Sequence, residues 1–577
     1  MASIAKRRVW LTAGLGALLT LAACAPAVQR DARSGTEPPP TATKKVLSVG
    51  VLREPPALAW GLLGNPISAE EGLANVPHLI HNTLAVEWEL ASFRPQLATA
   101  LPSIDDGTWR LNADGTMDTI WRLQPNARWH DGTPFTSADL VFTYNIYTDP
   151  NYPNRGEARP LMESVSAPDP STFVIHWKGA FVGGNKEPPG DEILPRHILE
   201  DLYRTADRNT VLNSAWFRSE FVGLGPYRLV RWEEGSHLEL ARFDDYYRGR
   251  PAFDTIIVRF IADANAMVAN VLAGNLDVAL PPVVSVESAL EVKRRWEGTG
   301  NQVVADPNGK LVMLDPQLRP DLAEPRNGFP NVLVRQAFYH ALDRPGLADV
   351  MTQGLAPTAD SYYAPHDGLR PDMEASIPQF PYDPARAQQL LAQAGWSAGA
   401  DGALVYQATG ERFQTEVRGG SGAGRERLLS VLADGWKTVG ADTSIYVVPA
   451  AVAGDRELNA RRPGLNVTNP SAPAFTDRNR LHSGQIAAAS NNWAGINTGG
   501  YASPKVDALL DQLRGTIDPH ARVPLLQGLV KEQIGDVAVM PLYWEVSTVL
   551  MLKGVKGPKS VNNAATQNII EWDRDSV

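Results

Sequence analysis

The chain of 577 residues contains a single cysteine, Cys24, so it has no partner for an intramolecular disulfide. It also lacks a basic excess. Its 54 Lys and Arg stand against 64 Asp and Glu, a formal net charge of −10, and this excludes the electrostatic footprint of a nucleic-acid-binding protein. Beyond the first thirty residues no stretch offers about 18 consecutive apolar residues, so no transmembrane helix is expected there. Internal repeats are absent. What remains is ordinary globular composition, 44% hydrophobic and 20% charged. A single core stops growing near roughly 250–300 residues, so the length implies two or more lobes.

The N-terminus is distinctive. Lys6, Arg7 and Arg8 precede an apolar run from Val9 to Leu21 that is short for a bilayer span and reads as an export signal, residues 1–23. Leu21-Ala22-Ala23-Cys24 resembles the lipobox of bacterial lipoproteins, in which the cysteine thiol is alkylated by diacylglycerol. That resemblance makes Cys24 the mature N-terminus and a lipid anchor on the outer face of the cytoplasmic membrane, each acyl methylene contributing about 0.8 kcal/mol. A buried free thiol is the alternative. Arg7-Arg8 before Val9-Trp10-Leu11 also resembles a twin-arginine signal, so the export route stays open. Residues 24–45, with Pro38-Pro39-Pro40 and no periodicity, read as a disordered tether.

Val46 to Leu52 alternates apolar and small residues into Arg53-Glu54-Pro55-Pro56, a strand stopped by proline. Asn112 to Thr116 carries a turn signal, and Met117 to Leu123 follows as a hairpin strand. Helices are expected at Ala138–Tyr147, Ala264–Ala273, Val332–Leu342, Asp383–Ala394, Arg425–Val439 and Lys505–Leu513. In the fourth, Asp383 caps, Pro384 suits the first position, Ala387, Leu390, Leu391 and Ala394 share a face, and Gly395 ends it. The fold class is therefore mixed α/β.

Several blocks occur in order: Arg128-Trp129-His130-Asp131-Gly132-Thr133-Pro134-Phe135 and on to Phe142, Gly223-Leu224-Gly225-Pro226-Tyr227, Tyr246 to Pro251, Gly274-Asn275-Leu276-Asp277, Val334 to Arg344, Tyr382-Asp383-Pro384 and Gly500 to Asp507. Together they resemble extracellular solute-binding protein family 5, the peptide- and nickel-type receptors of ABC importers. The residue types themselves read as turns and helix caps, marking architecture more than ligand contact. The resemblance implies an α/β, two-lobe periplasmic-binding-protein fold of cluster C type with an inserted β-rich subdomain. Its implied divisions are lobe I at 46–87, 210–307 and 541–577, the insert at 88–209 and lobe II at 308–540. It further implies hinge closure around a small molecule or peptide, ABC permease subunits as partners, a monomer, and neither cofactor nor catalysis. A ligand-sensing or chaperone-like receptor of the same fold, uncoupled from transport, is the alternative.

Other motifs suggest chemistry. Gly395-Trp396-Ser397-Ala398-Gly399 matches the G-x-S-x-G of a hydrolase elbow, but an expected helix precedes it where an elbow needs a strand. Arg418 to Arg425, rich in glycine, offers backbone N–H groups and two guanidiniums to an anion, or is simply a loop between strand and helix. His78 and His81 have i, i+3 spacing with no third metal ligand nearby in sequence. For the ligand, Trp493 with Asn491 and Asn492 is the leading candidate, in the region where family members commonly line the cleft; Trp60 and Tyr227 follow. Peptide-binding relatives place a carboxylate in this region, whereas Gly464 to Pro473 has none and Asp477 lacks a secure correspondence. The ligand is thus left open between a peptide, an oligosaccharide and another polar metabolite.

Overall fold

The computed structural model describes residues 44–59, 72–89, 92–152, 158–186, 192–281, 283–470, 475–476, 480–558 and 564–575. The first strand, Val46–Val51, buries Leu47, Val49 and Val51 completely, as its alternation predicts. The expected helices form at Ser137–Thr148, Ala264–Leu272, Val332–His340, Pro384–Gln393, Ala423–Lys437 and Pro504–Gly515. Local chemistry fixes their starts. Thr136 and Asp139 make a capping box, and the Asp383 carboxylate accepts the Arg386 N–H at 2.8 Å with Pro384 next in the chain. Gly395, at φ 89°, supplies the left-handed residue after Ala394 that ends the Pro384–Gln393 helix.

A ten-stranded sheet organises the chain. Its order is Asp442–Val448, Gln414–Gly420, Leu465–Thr468, Gln302–Pro316, Met540–Met551, Val278–Ala279, Val46–Val51, Thr255–Phe260, His237–Arg242 and Tyr227–Glu233. The two central strands are long because they serve both halves. Gln302 to Pro307 pairs with Val546 to Met551 in one half, and Leu311 to Leu314 with Met540 to Trp544 in the other. The ladder loses register between Pro307 and Leu311, an irregularity of the kind that interrupts regular pairing, and the Leu311 N–H donates instead to the Pro470 carbonyl at 3.1 Å.

Each half has its own core. On one side Phe329, Phe338, Phe413, Trp396 and Trp436 pack with ring centroids 4.7 to 5.9 Å apart, within the core that includes Leu311 and Val546. On the other, Leu47, Phe253, Ile256, Val549 and Trp572 belong to a second core. A four-stranded antiparallel sheet, ordered Trp109–Leu111, Met117–Arg122, Thr172–Trp177 and Met162–Asp169, covers a third with Trp121, Trp129 and Trp177. The helix Ser137–Thr148 ties it to the second: Leu140 packs into one, Phe142, Ile146 and Tyr147 into the other.

The sequence blocks are architectural. Arg335, almost fully buried, donates to the carbonyls of Phe329, Pro330 and Asp536, and Arg344 donates to those of Ala359 and Phe380. Among the described residues no helix is long and apolar enough to cross a membrane.

Candidate functional site

Strand directions locate a cleft. In the first half Val46–Val51 runs parallel to Thr255–Phe260 and Val278–Ala279, and Val278 and Ala279 face Met551 and Leu550. Their carboxyl ends therefore advance toward Val546, where the central strands change halves. In the second half Leu465–Thr468 sets Leu465 against Pro316 and Thr468 against Met313, with Gln414–Gly420 parallel beside it. Those carboxyl ends approach the same crossover from the opposite side. Loops leaving the carboxyl ends of parallel strands are where open α/β sheets collect ligands, and here two such rims face each other.

The floor between them belongs to the crossing strands. Tyr543 and Glu545 belong to the Met540–Met551 strand beside the crossover, Tyr543 buried in the core that includes Leu311 and Val546, and the charge of Arg425, from the helix Ala423–Lys437, acts on it. Burial pushes the Tyr543 hydroxyl well above its usual value of 10, the Arg425 guanidinium opposes that rise and the Glu545 carboxylate adds to it. The Arg425 side chain packs closely over Gly419, where a Cβ would sit 3.0 Å from Arg425 Cδ. Among the described residues, contacts away from the crossing strands also join these parts of the chain, polar ones among them. Arg427 Nη1 lies 2.7 Å from Glu287 Oε1, joining the N-terminal parts of the helices Ala423–Lys437 and Val286–Arg295, and the Val182 N–H donates to the Arg514 carbonyl at 2.9 Å.

The sequence candidates fall in different places. Cys24 and Trp60 lie outside the described residues. Tyr227 departs from its expected place in the cleft. It opens the outermost strand of the sheet, is completely buried, and packs in the core that holds Phe253 and Trp572. Asn491 caps its own turn, accepting the Ala488 N–H at 3.0 Å and donating to the Ile486 carbonyl at 2.8 Å. Trp493 lines a hollow of about 300 Å³ with Arg319, Asp321, Leu322, Arg461, Ile486 and Ala488. That hollow corrects the expectation of a cleft position. Arg319 to Leu322 follow Pro316 at the end of the central strand remote from the crossover, and Arg461 precedes Leu465 at the same end.

The other motifs resolve physically. Ser397 sits in the short strand Trp396–Ala398, paired with Leu404–Tyr406 after a helix, so no strand-to-helix elbow projects it. The helix Pro77–Ile80 ends before His81, whose φ of −145° is extended, so His78 and His81 do not share a helical face. The loop at Gly420 to Gly422 connects a cleft-facing strand end to the helix from Ala423. Sequence reasoning passed over Tyr543 and Glu545. The available signal was an acid in the middle of the apolar run Met540 to Met551.

A sheet shared by two cores, joined through two strands and presenting both sets of strand carboxyl ends to the joint, defines a two-lobe binding protein of the periplasmic type. The family model for bacterial extracellular solute-binding proteins, family 5 Middle, matches residues 92–503, and the chain belongs to that family. It is 24% identical to the oligopeptide-binding protein AppA of Bacillus subtilis, over 98% of this chain and 99% of that one. The structure of AppA with a nonapeptide superposes with a TM-score of 0.72 at 22% identity, covering 92% of this chain and all of that one. NikZ of Campylobacter jejuni, in complex with Ni(L-His), gives a TM-score of 0.72 at 21% identity with the same coverage. The chain is accordingly an extracytoplasmic solute-binding protein and not an enzyme.

Proposed function

We propose that this protein is the receptor of an ABC importer, held at the outer face of the cytoplasmic membrane by lipid on Cys24, which captures a small solute by closing two lobes and delivers it to the permease. Lobe I comprises 46–87, 210–307 and 541–577 with the insert at 88–209, and lobe II comprises 308–540. The observation that carries the reading is the opposition of two rims of strand carboxyl ends across a joint with broken register. A solute bound between the rims favours the closed form by its differential affinity for the two states. The Arg427–Glu287 pair then belongs to that form.

The ligand is a peptide or another polar metabolite. The absence of a carboxylate between Gly464 and Pro473 weighs against capture of a free α-ammonium group at that edge. Mass spectrometry of small molecules released from the purified mature chain, then calorimetry and small-angle scattering with each, tests the reading. A saturable ligand that reduces the radius of gyration is expected. A protein that binds a ligand with no change in shape would remove hinge closure, and one that binds no peptide, sugar or amine would remove the receptor role.

A further inference from the structure

The hollow at Trp493 lies at the pole of lobe II remote from the crossover, so ligand capture in the cleft leaves it unexplained. Its backbone is held rigidly. The Trp493 N–H donates to the Ala488 carbonyl at 2.9 Å, the Ala494 N–H to the Asn491 carbonyl at 3.0 Å, and Asn491 clamps Ile486 and Ala488. Gly495 has no room for a side chain, since a Cβ would stand 2.3 Å from the Gln485 carbonyl oxygen. Within this frame Asn492 and Trp493 take consecutive left-handed conformations, φ 51° and 59°, which non-glycine residues adopt only at a cost. The strained turn presents a half-buried indole rather than sinking it into the core.

The groups around the indole carry both signs. Arg319 is committed to the protein, donating to Gln317 Oε1 at 3.0 Å and to the carbonyls of Ala487, Thr498 and Ala460. Arg461 places its guanidinium carbon 6.0 Å from the indole centroid while also meeting Glu457 at 3.1 Å. Asp321 is exposed at the rim, and Leu322 and Ile486 supply apolar wall. A simple anion in this hollow meets the Asp321 carboxylate, a simple cation meets the Arg319 and Arg461 guanidiniums, and the indole with Leu322 and Ile486 offers apolar surface that neither ion uses. A pyranose ring satisfies all three demands: a C–H face for the indole, hydroxyl donors for Asp321 and hydroxyl acceptors for Arg461. The volume of about 300 Å³ suits one sugar ring or the end of a short glycan.

We propose that this hollow is a saccharide-binding site separate from the solute cleft, with Trp493 as its platform and Asp321 and Arg461 as its hydroxyl partners. Because the site is built within lobe II, its occupancy is independent of hinge closure. Saturation-transfer NMR on the full mature chain, with maltotriose and chitotriose as separate probes, tests this. At least one sugar should give saturable transfer at concentrations up to about 10 mM. Trp493→Ala should weaken it about tenfold, Trp493→Phe should retain most of it, and Asp321→Asn should weaken it. Asp321 is exposed, so its variant keeps the test decisive if Trp493→Ala fails to fold. No transfer from either sugar overturns the proposal, as does transfer undiminished in the Asp321 variant and in a folded Trp493 variant. Stronger binding of benzoate than of both sugars also overturns it. Cleft binding, measured on the same variants by calorimetry, is expected to be unchanged, so failure here is distinguishable from failure of the receptor reading.

Discussion

His130 fastens Gly225: its Nε2 lies 3.0 Å from the Gly225 carbonyl oxygen, while its Nδ1 accepts the Gly223 N–H at 3.1 Å. One imidazole thus joins the Trp129–Phe135 turn to the Gly223–Tyr227 segment, two of the ordered blocks of the sequence. Glycine is required on the other side of this contact. A Cβ on Gly225 would lie 2.3 Å from the Ile80 carbonyl carbon and 2.4 Å from the His81 nitrogen, both backbone atoms that cannot turn aside. Gly225→Ala should therefore cost about 3 kcal/mol or more, since it forces backbone apart in a packed region. Denaturant unfolding checks this; a midpoint within experimental error of the parent protein would contradict the close approach.

The same region makes stability depend on pH. Burial lowers His81 to about 3, with the nearby His130 contributing, and burial lowers His130 to about 4. Each folded value lies below the unfolded value of 6.5, so protons bind preferentially to the unfolded chain. Their contribution is intact above pH 6.5 and is lost as pH falls toward the folded values. Each histidine that is charged only when unfolded steepens the dependence by about 1.4 kcal/mol per pH unit. His81→Gln should flatten the slope between pH 6 and 4 by about that amount and lower stability at pH 7, because the Leu224 N–H loses the imidazole acceptor. Melting across this range gives both quantities; an unchanged slope would refute the assignment.

The fold was legible wherever one short stretch carried its own instruction. Asp383-Pro384 announced a helix start, and the alternation from Val46 announced a strand. The blocks gave the architecture because their side chains spend their chemistry on the backbone, as Arg335 does on Phe329, Pro330 and Asp536. The site was less legible because it is made by register. Nothing local distinguishes Arg319 as lying beyond the remote end of a strand or Tyr543 as lying at the crossover. Trp493 was singled out for its chemistry, but the pairing of Leu465 with Pro316 decides which end of the lobe it occupies. Tyr227 looked similar in sequence, yet the inward alternation of an edge strand buries it.

Tyr227 should behave as a core residue. Tyr227→Phe is expected to leave ligand affinity unchanged, and Tyr227→Ala to destabilise by about 3–5 kcal/mol through the cavity it opens. Calorimetry with the Phe variant separates this from a ligand-contacting role, which would show as weakened binding without loss of stability.

Cys24→Ser tests the anchor. A thiol that carries diacylglycerol holds the chain on the membrane after export, and a serine cannot be modified in that way. The variant should appear in the soluble fraction, while the parent stays with membranes and carries an N-terminal mass increment matching acylated cysteine. Equal membrane retention of both proteins would assign attachment to something other than Cys24.

The pair between Arg427 and Glu287 should act as a weak clasp on the closed form. Its side chains are 48% and 42% exposed, so solvent screens the attraction and its worth is about 0.2–1 kcal/mol. If this pair forms only when the lobes approach, Glu287→Gln should weaken affinity for the cleft ligand by up to about fivefold, and Arg427→Gln should do the same. The double variant should be no weaker than either single one, because each already removes the whole interaction. In about 1 M salt, where the Debye length is near 3 Å, the parent and the variants should converge. Calorimetry at low and high salt measures all of these terms. Additive losses in the double variant, or a difference that persists in salt, would mean that the two residues act separately and that closure does not depend on their contact.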